Sequence, residues 1–395
     1  MPKLSKSWSV FLLLVAEVSA MSLWFVTAAI LPEMIRETDI SPVRQAAMSS
    51  GVQIGFVVGA LAFAILGLPD RLDPRRVFAV SAVAAALANL TLLVFAPGSA
   101  GAIAARFVTG ALLAGVYPVG MKIIVGWGVR DRGFLVGALV GALILGSAAP
   151  YLIALLGGAD WRVTVIAASV ASCLGGLSCL LISLGPHHST AAAFDPKAIL
   201  LAWSDRRIRL AYVGYLGHMW ELYAMWAWIG AASAATYTIT MSDVEAERLA
   251  RITAFIAIGI GGVLSAVAGI IADRVGKADV AMVAMCISGL AALGTALSFG
   301  GPAWLTFGLI LIWGLAIAPD SAQFSALVAD AAPPEQAGSL LTLQTALGFA
   351  LTFFTVQLTP VAADAFGWPI VLAIMAIGPG VGVVAMLRLR SLPSQ

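Results

Sequence analysis

Charge is what this sequence has least of. Only 11% of its 395 residues are charged, against about a quarter in soluble domains, while 61% are hydrophobic. The deficit runs the whole length of the chain and excludes a soluble globular protein. The reading is an all-α integral membrane protein. The net charge of +2 comes from basic residues dispersed in short loops, so nucleic acid is not an expected partner. Cysteine is nearly absent. Cys173, Cys179 and Cys286 fall in apolar runs without a C-x-x-C or a neighbouring histidine, which argues against a disulfide framework or a zinc site. Of three histidines, His187 and His188 stand together in a polar loop and read as solvated. No G-x-x-x-x-G-K-[ST], H-E-x-x-H or nucleophile elbow occurs. No cofactor or metal is expected, and nothing here hydrolyses a nucleotide.

What is present is a series of apolar runs long enough to cross a bilayer, each of about 20 residues. Polar breaks delimit twelve, at 7–31, 46–67, 76–96, 100–126, 133–156, 162–184, 208–238, 250–272, 278–300, 303–328, 337–362 and 366–387. The first follows a basic start as a secretory signal would. Glu17 interrupts its core and the run continues to Leu31, so it reads as a retained membrane helix. No run alternates with period two as a membrane strand would. With the N-terminus inside, inner loops carry fifteen Lys and Arg and outer loops five. That bias places both termini in the cytoplasm of a multi-pass inner-membrane protein, expected as a monomer. The longest inner connection divides the chain into 1–184, a loop 185–207, and 208–395.

The halves repeat. Asp70 and Asp273 are 203 positions apart, Pro118 and Pro319 201, Gly133 and Gly338 205, Trp161 and Trp368 207. Four landmarks in order at nearly one offset mark a duplicated six-helix unit, the pattern of transporters with parallel halves and a binding site between them.

Here the motifs become specific. GIIADRVGK (269–277) resembles the G-x-x-x-D-R-x-G-R/K loop of the major facilitator superfamily, with Gly269, Asp273, Arg274, Gly276 and Lys277 in place. The first-half copy keeps Asp70 and Arg71 but has Leu66 and Asp73 where glycines stand. ARFVTGALLAG, with Arg106 and Gly110, is similar to the family's fourth-helix R-x-x-x-G motif. ADAAPPEQAGSLLTLQ resembles the usual loop before helix eleven, without its common arginine. Gly137, Gly146 and Pro150 on span five are similar to an antiporter motif whose Gly-Pro pair is here Ala149-Pro150, a lean toward efflux. The resemblance covers nearly the whole chain. It implies two pseudo-symmetric six-helix bundles and alternating access, and says little of the substrate. Independently of family, an acid beside arginines at helix ends can latch neighbouring helices. Asp70, Arg71, Asp273, Arg274 and Lys277 are the candidate conformational latch, against the plainer reading of a topology-setting charge cluster.

With residues near span ends set aside, the charged and histidine residues within the spans are Glu17, Arg106, Lys122, His218, Glu221 and Asp320. They occupy only spans one, four, seven and ten, which should therefore line a common cavity, since a charge in hydrocarbon costs about 3 kcal/mol or more. In the resembled family the first helix of each three-helix unit lines the substrate path. The repeat offset carries Glu17 onto 218–224, which holds His218 and Glu221 on one helix face. The expectation is that the two acids meet across the interface between halves, with Glu221 as the proton-coupling centre, tuned by His218 and assisted by Glu17 and Arg106. Arg106 could instead simply neutralise Glu17. Lys122 could snorkel, and Asp320 could satisfy N–H groups freed at Pro319. Trp24, Tyr117, Tyr215, Met225, Asp320 and Gln323 are the candidate cavity lining. The function expected is proton-coupled transport of a small organic solute. An anion porter of nitrate type is the alternative, although span two offers Gln53 rather than arginine and span eight has no interior arginine. Readings of another class are an intramembrane acid–base enzyme built on His218 and Glu221, or a non-transporting sensor.

Overall fold

The computed structural model describes residues 4–128, 131–158, 160–186, 198–333 and 336–392. His187 and His188, Lys3, Arg130 and Lys197 lie outside them. Among the described residues every regular element is helical. Eleven helical spans are long and apolar enough to cross a membrane: Lys6–Glu37, Pro42–Leu66, Pro74–Leu93, Ala100–Val125, Gly133–Gly157, Trp161–Leu181, Asp243–Ala272, Lys277–Leu297, Ala303–Ala331, Ala337–Phe366 and Trp368–Arg390. The twelfth, Arg206–Tyr237, is the seventh in order. It is less apolar than the other eleven because its tyrosines, tryptophans, His218 and Glu221 dilute its apolar content. It is nonetheless buried along most of its length.

Several ends reach beyond the apolar runs. The first span continues through Pro32 to Glu37, and the eighth begins at Asp243 rather than 250. Ser242 and Glu245 form a reciprocal capping box that starts the eighth helix in polar sequence. Asp73, Asp160 and Asp205 each cap the helix that follows by accepting a backbone N–H.

The repeat extends to the packing. A Cβ on Gly110 would strike the backbone of Val52, so spans two and four touch through main chain. The same crossing recurs with Gly314 of span ten against Ala257 of span eight. Small residues permit such approach where lipid offers no competing hydrophobic force. Trp161 and Trp368 both open their helices. Span four breaks at 114–116 and span ten at 318–320, again repeat-related. Other breaks are not shared: span one leaves helical geometry at 22–25, whereas span seven runs intact, and span twelve breaks at Ala376, whereas span six is continuous there.

Spans five and eight, and spans two and eleven, pack across the halves. Gly141 and Gly262 meet there, a Cβ on either falling about 3 Å from the other's carbonyl. Gly133, in contrast, has open space beside it. An even number of spans returns the chain to the end at which it began. The opposite end is called the far end below.

Candidate functional site

The helix break at 22–25 frees carbonyls in the middle of span one. Arg106, itself 0% exposed, answers them: its guanidinium donates to Leu23 O at 2.9 Å, Trp24 O at 2.6 Å and Asn89 Oδ1 at 2.8 Å. Asn89 is held in turn by Ser169 at 3.0 Å. The expected Arg106–Glu17 pairing is thus replaced by Arg106 on backbone. The repeat-related stretch, 307–313, contains no cation, and the seventh span, unbroken, keeps its carbonyls in the helix.

Glu17 is fully buried, and neither carboxyl oxygen has a hydrogen-bond partner. It points at span four, where a Cβ on Gly120 would lie 2.7 Å from Oε2. Glu221 is buried too but doubly held. Ser288 Oγ donates to Oε1 at 2.6 Å and Trp313 Nε1 to Oε2 at 2.9 Å. The two acids therefore turn into their own halves instead of meeting. His218 Nδ1 lies 2.9 Å from Asp320 Oδ1, although neither ring nitrogen makes an aligned hydrogen bond. Asp320 precedes the second segment of span ten, Ser321–Ala331, but its side chain caps no N–H there. Ser288 and Trp313 carry no signal in the sequence, being an ordinary serine and tryptophan in apolar runs.

The interface between halves is aromatic. Trp24 packs on Phe56, Tyr223 and Phe349 with ring centroids 5.0, 5.7 and 5.7 Å apart. Phe56 and Phe349 are 4.7 Å apart, and Phe25 meets Trp226 edge-on at 6.1 Å. Beyond this layer the far end is tied by polar contacts. Arg251 pairs with Glu33, and Arg36 reaches Glu247 at 3.0 Å. Ser50 donates to Gln357 at 2.6 Å, and Tyr151 to Trp226 O at 2.9 Å. Each joins one half to the other. Glu33, Arg36, Glu247 and Arg251 were legible only as helix-end charges.

On the other side of the layer lies a cavity of about 330 Å³. Tyr117 and Met121 of span four and Val140 of span five face Tyr215 and Met219 of span seven across it. Ser321 and Ser325 of span ten and Thr345 of span eleven complete the wall, with Tyr223, Trp226 and Phe349 as roof. No charged side chain is among the lining residues. The expected lining is corrected accordingly. Tyr117 and Tyr215 line the cavity and Trp24 belongs to the roof layer, while Met225, Asp320 and Gln323 are buried behind it. Spans four, seven and ten contribute, span one does not, and spans five and eleven do. The reason is that Arg106 and Glu221 turn to partners inside their own halves and Glu17 faces Gly120 of span four, so the buried charges do not mark the cavity wall. A larger groove of about 470 Å³ between spans eight, nine and ten is apolar apart from Asp279 at its end and lies on the lipid side.

At the end bearing the termini, Lys277 Nζ pairs with Asp330 at 2.5 Å, linking the start of span nine to span ten. Arg75 bonds Asp73 at 2.6 Å and Ile182 O at 3.0 Å, joining the start of span three to the end of span six. Arg75 holds the Asp73 carboxyl below the usual carboxylate range. Arg71 and Arg274 are exposed. The side chains of Asp70 and Asp273 lie outside the described part of the structure.

The Major Facilitator Superfamily model matches residues 12–356. No curated protein matches the sequence. Among solved structures, a D-xylose-proton symporter superposes with a TM-score of 0.76 at 16% identity, over 98% of each chain. The nucleoside transporter NupG gives 0.71 at 16%, over 96% of this chain and 99% of that one. The xylose transporter XylE from E. coli, partially occluded and inward open, gives 0.72 at 15%, over 97% and 98%. At such identity the likeness is one of fold.

Proposed function

The chain belongs to the Major Facilitator Superfamily, and from that premise we propose that this transporter moves a small neutral organic solute, coupled to protons, by alternating access. Two six-helix halves, 1–184 and 208–395, rock about the aromatic layer. The excess of basic residues near the termini places that end in the cytoplasm and the far end outside. The protein is a monomer of the inner membrane. The closed far end and the cavity beneath the layer then correspond to an inward-facing state. Neighbours named for xylose and nucleosides set the scale of the solute, one small organic molecule. An inorganic anion is disfavoured, because no lining residue is cationic.

The observation that carries the coupling is Glu17. A carboxylate without a single donor, in an apolar site, is costly, whereas a neutral acid is not. Glu17 therefore holds a proton in this state, facing Gly120, which lies one turn along span four from Tyr117 of the cavity wall. Opening of the far end brings water to it and releases the proton. Glu221, with Ser288 and Trp313 donating to its oxygens, holds spans seven, nine and ten together, with His218 and Asp320 beside it. Arg106 keeps the break that shapes span one around Glu17. In proteoliposomes, Glu17→Gln should abolish accumulation driven by a pH gradient while preserving counterflow exchange, because glutamine mimics the protonated acid. Normal accumulation by that variant sinks the assignment. The same split phenotype in Glu221→Gln instead moves the coupling site to span seven.

A further inference from the structure

Glu17 has a counterpart in the second half, and the repeat points to it. The offset that relates Pro118 to Pro319, 201 positions, carries Glu17 onto His218, Val119 onto Asp320 and Gly120 onto Ser321. In the first half Glu17 lies against Gly120, one turn beyond the break in span four. In the second half His218 lies against Asp320, at the break in span ten. The first helix of each half thus sets an ionisable group against the hinge of the fourth. Only the chemistry differs: a lone acid against glycine in one half, an imidazole against an acid in the other.

His218 and Asp320 are closed off from other polar groups. Nδ1 and Oδ1 are 2.9 Å apart, and the two side chains are 0% and 2% exposed. Neither ring nitrogen nor Oδ1 has a hydrogen-bond partner among the described residues, so nitrogen and oxygen face each other alone. Around them span seven adds Glu221 and Tyr215, whose ring lies 6.3 Å from the imidazole. The charge of Asp320 reaches Glu221, which has its own donors in Ser288 and Trp313. Spans eight, nine, eleven and twelve, and the outer segment of span one, carry charged residues only within about three turns of an end. An ionised Asp320 beside a neutral imidazole would leave an uncompensated negative charge in this dry interior, which is costly. One further proton makes the pair neutral overall and turns the contact into a charge-assisted bond.

We propose that His218 and Asp320 together hold a second proton in this state, and that it clamps the cavity-lining segment of span ten to span seven. The inference rests on the transport reading and extends it to one proton per half. Ser321 and Ser325, on the turns that follow Asp320, stand in the cavity wall, so the clamp sets the shape of that wall. When the far end opens, water reaches the hinge and takes the proton. A hydrated Asp320 carboxylate and a neutral imidazole remain, and the segment Ser321–Ala331 is released to move against span seven.

The test needs no solute. Spin labels introduced through Asp160→Cys and Asp243→Cys, in intact protein lacking Cys173, Cys179 and Cys286, report the ratio of far-end-open to far-end-closed molecules in nanodiscs. Protons held in the closed form and lost from the open one make that ratio rise with pH, about tenfold per pH unit for each proton at the steepest point. The unsubstituted pair should therefore give about a hundredfold rise. Asp320→Asn and His218→Gln should each reduce it to about tenfold, the part that belongs to Glu17. Glu17→Gln should leave about tenfold as well, and Glu17→Gln with Asp320→Asn none. A pair that merely packed two helices together would shift the ratio and leave its slope alone. A slope that both Asp320→Asn and His218→Gln leave unchanged overturns the inference, and its loss in Glu17→Gln would keep the coupling on span one. A slope removed by Asp320→Asn and untouched by Glu17→Gln supports the pair and removes Glu17 instead. A ratio independent of pH overturns both.

Discussion

Arg106 is a buried cation whose three acceptors are two backbone carbonyls and an asparagine. Stripping it leaves those groups unpaired in the dry interior of the first half, at a cost of about 3 kcal/mol. Arg106→Met should therefore lower the unfolding temperature of the detergent-solubilised protein by several degrees. Arg106→Lys should recover little, because an ammonium cannot fork across two carbonyls and Asn89. A wild-type melting curve for Arg106→Met would refute this account. The sequence placed a charge at this depth correctly and mistook its partner. Two mid-bilayer residues of opposite sign, Glu17 and Arg106, suggest a pair when only side chains are counted. The competing acceptors were carbonyls released by a break in Ser22-Leu23-Trp24-Phe25, a stretch with neither glycine nor proline to announce it. The partners of Glu221 were hidden for a related reason. Its depth was readable from position, but the hydroxyl and indole that hold it come from spans nine and ten, 67 and 92 residues away in sequence.

At the scale of elements the repeat was the most legible feature, since it needs only order and spacing. The crossing it implies is sharp enough to test. Gly110→Val and Gly314→Val each drive a side chain into the backbone of a facing helix and should cost about 3 kcal/mol. Gly133→Val and Gly338→Val, with nothing within 4 Å, should be close to neutral in the same thermal assay. Equal effects at all four sites would discount main-chain contact as the cause. Helix ends were less readable, because a cap such as Ser242–Glu245 extends a helix into polar sequence that hydropathy treats as loop. The link between spans three and six has a pH signature. Since Arg75 holds Asp73 below its ordinary value of 3.8, the contact contributes stability above that pH and loses it as pH falls through the lowered value. Asp73→Asn should lower the melting temperature modestly at neutral pH and flatten the acid limb of the profile, so that mutant and wild type converge in acid. A mutant profile parallel to wild type below pH 4 would exclude the pair as its source.

For the whole molecule, the contacts tying the far end bias which side is open. Glu33→Gln combined with Arg36→Gln removes one side of both ion pairs, Arg251–Glu33 and Arg36–Glu247. The population open at the far end should rise about tenfold. Spin labels at Asp160 and Asp243, in a background lacking the three cysteines, would register it as a longer-distance component in dipolar spectroscopy. An unchanged distance distribution would mean that the aromatic layer alone keeps this end shut. The charge pattern could not foretell that gate, because these four residues sit at helix ends, where a solvated charge is the default.

The seventh span is less apolar than the other eleven, carries Glu221, His218, Tyr223 and Trp226, and contacts both halves. During synthesis that places a demand on the insertion machinery. A helix too polar to partition by itself needs companions already in the bilayer, and six precede it. The first half is then a scaffold for delivering its sibling as well as a moving part of the transporter. Residues 206–275 expressed as an isolated hairpin should leave the seventh span at the membrane surface, open to protease, whereas the full chain protects it. Protection in both would show that Arg206, Arg207 and Arg209 anchor the helix unaided. Damage to the first half, even far from the cavity, should otherwise surface as misassembly of the second.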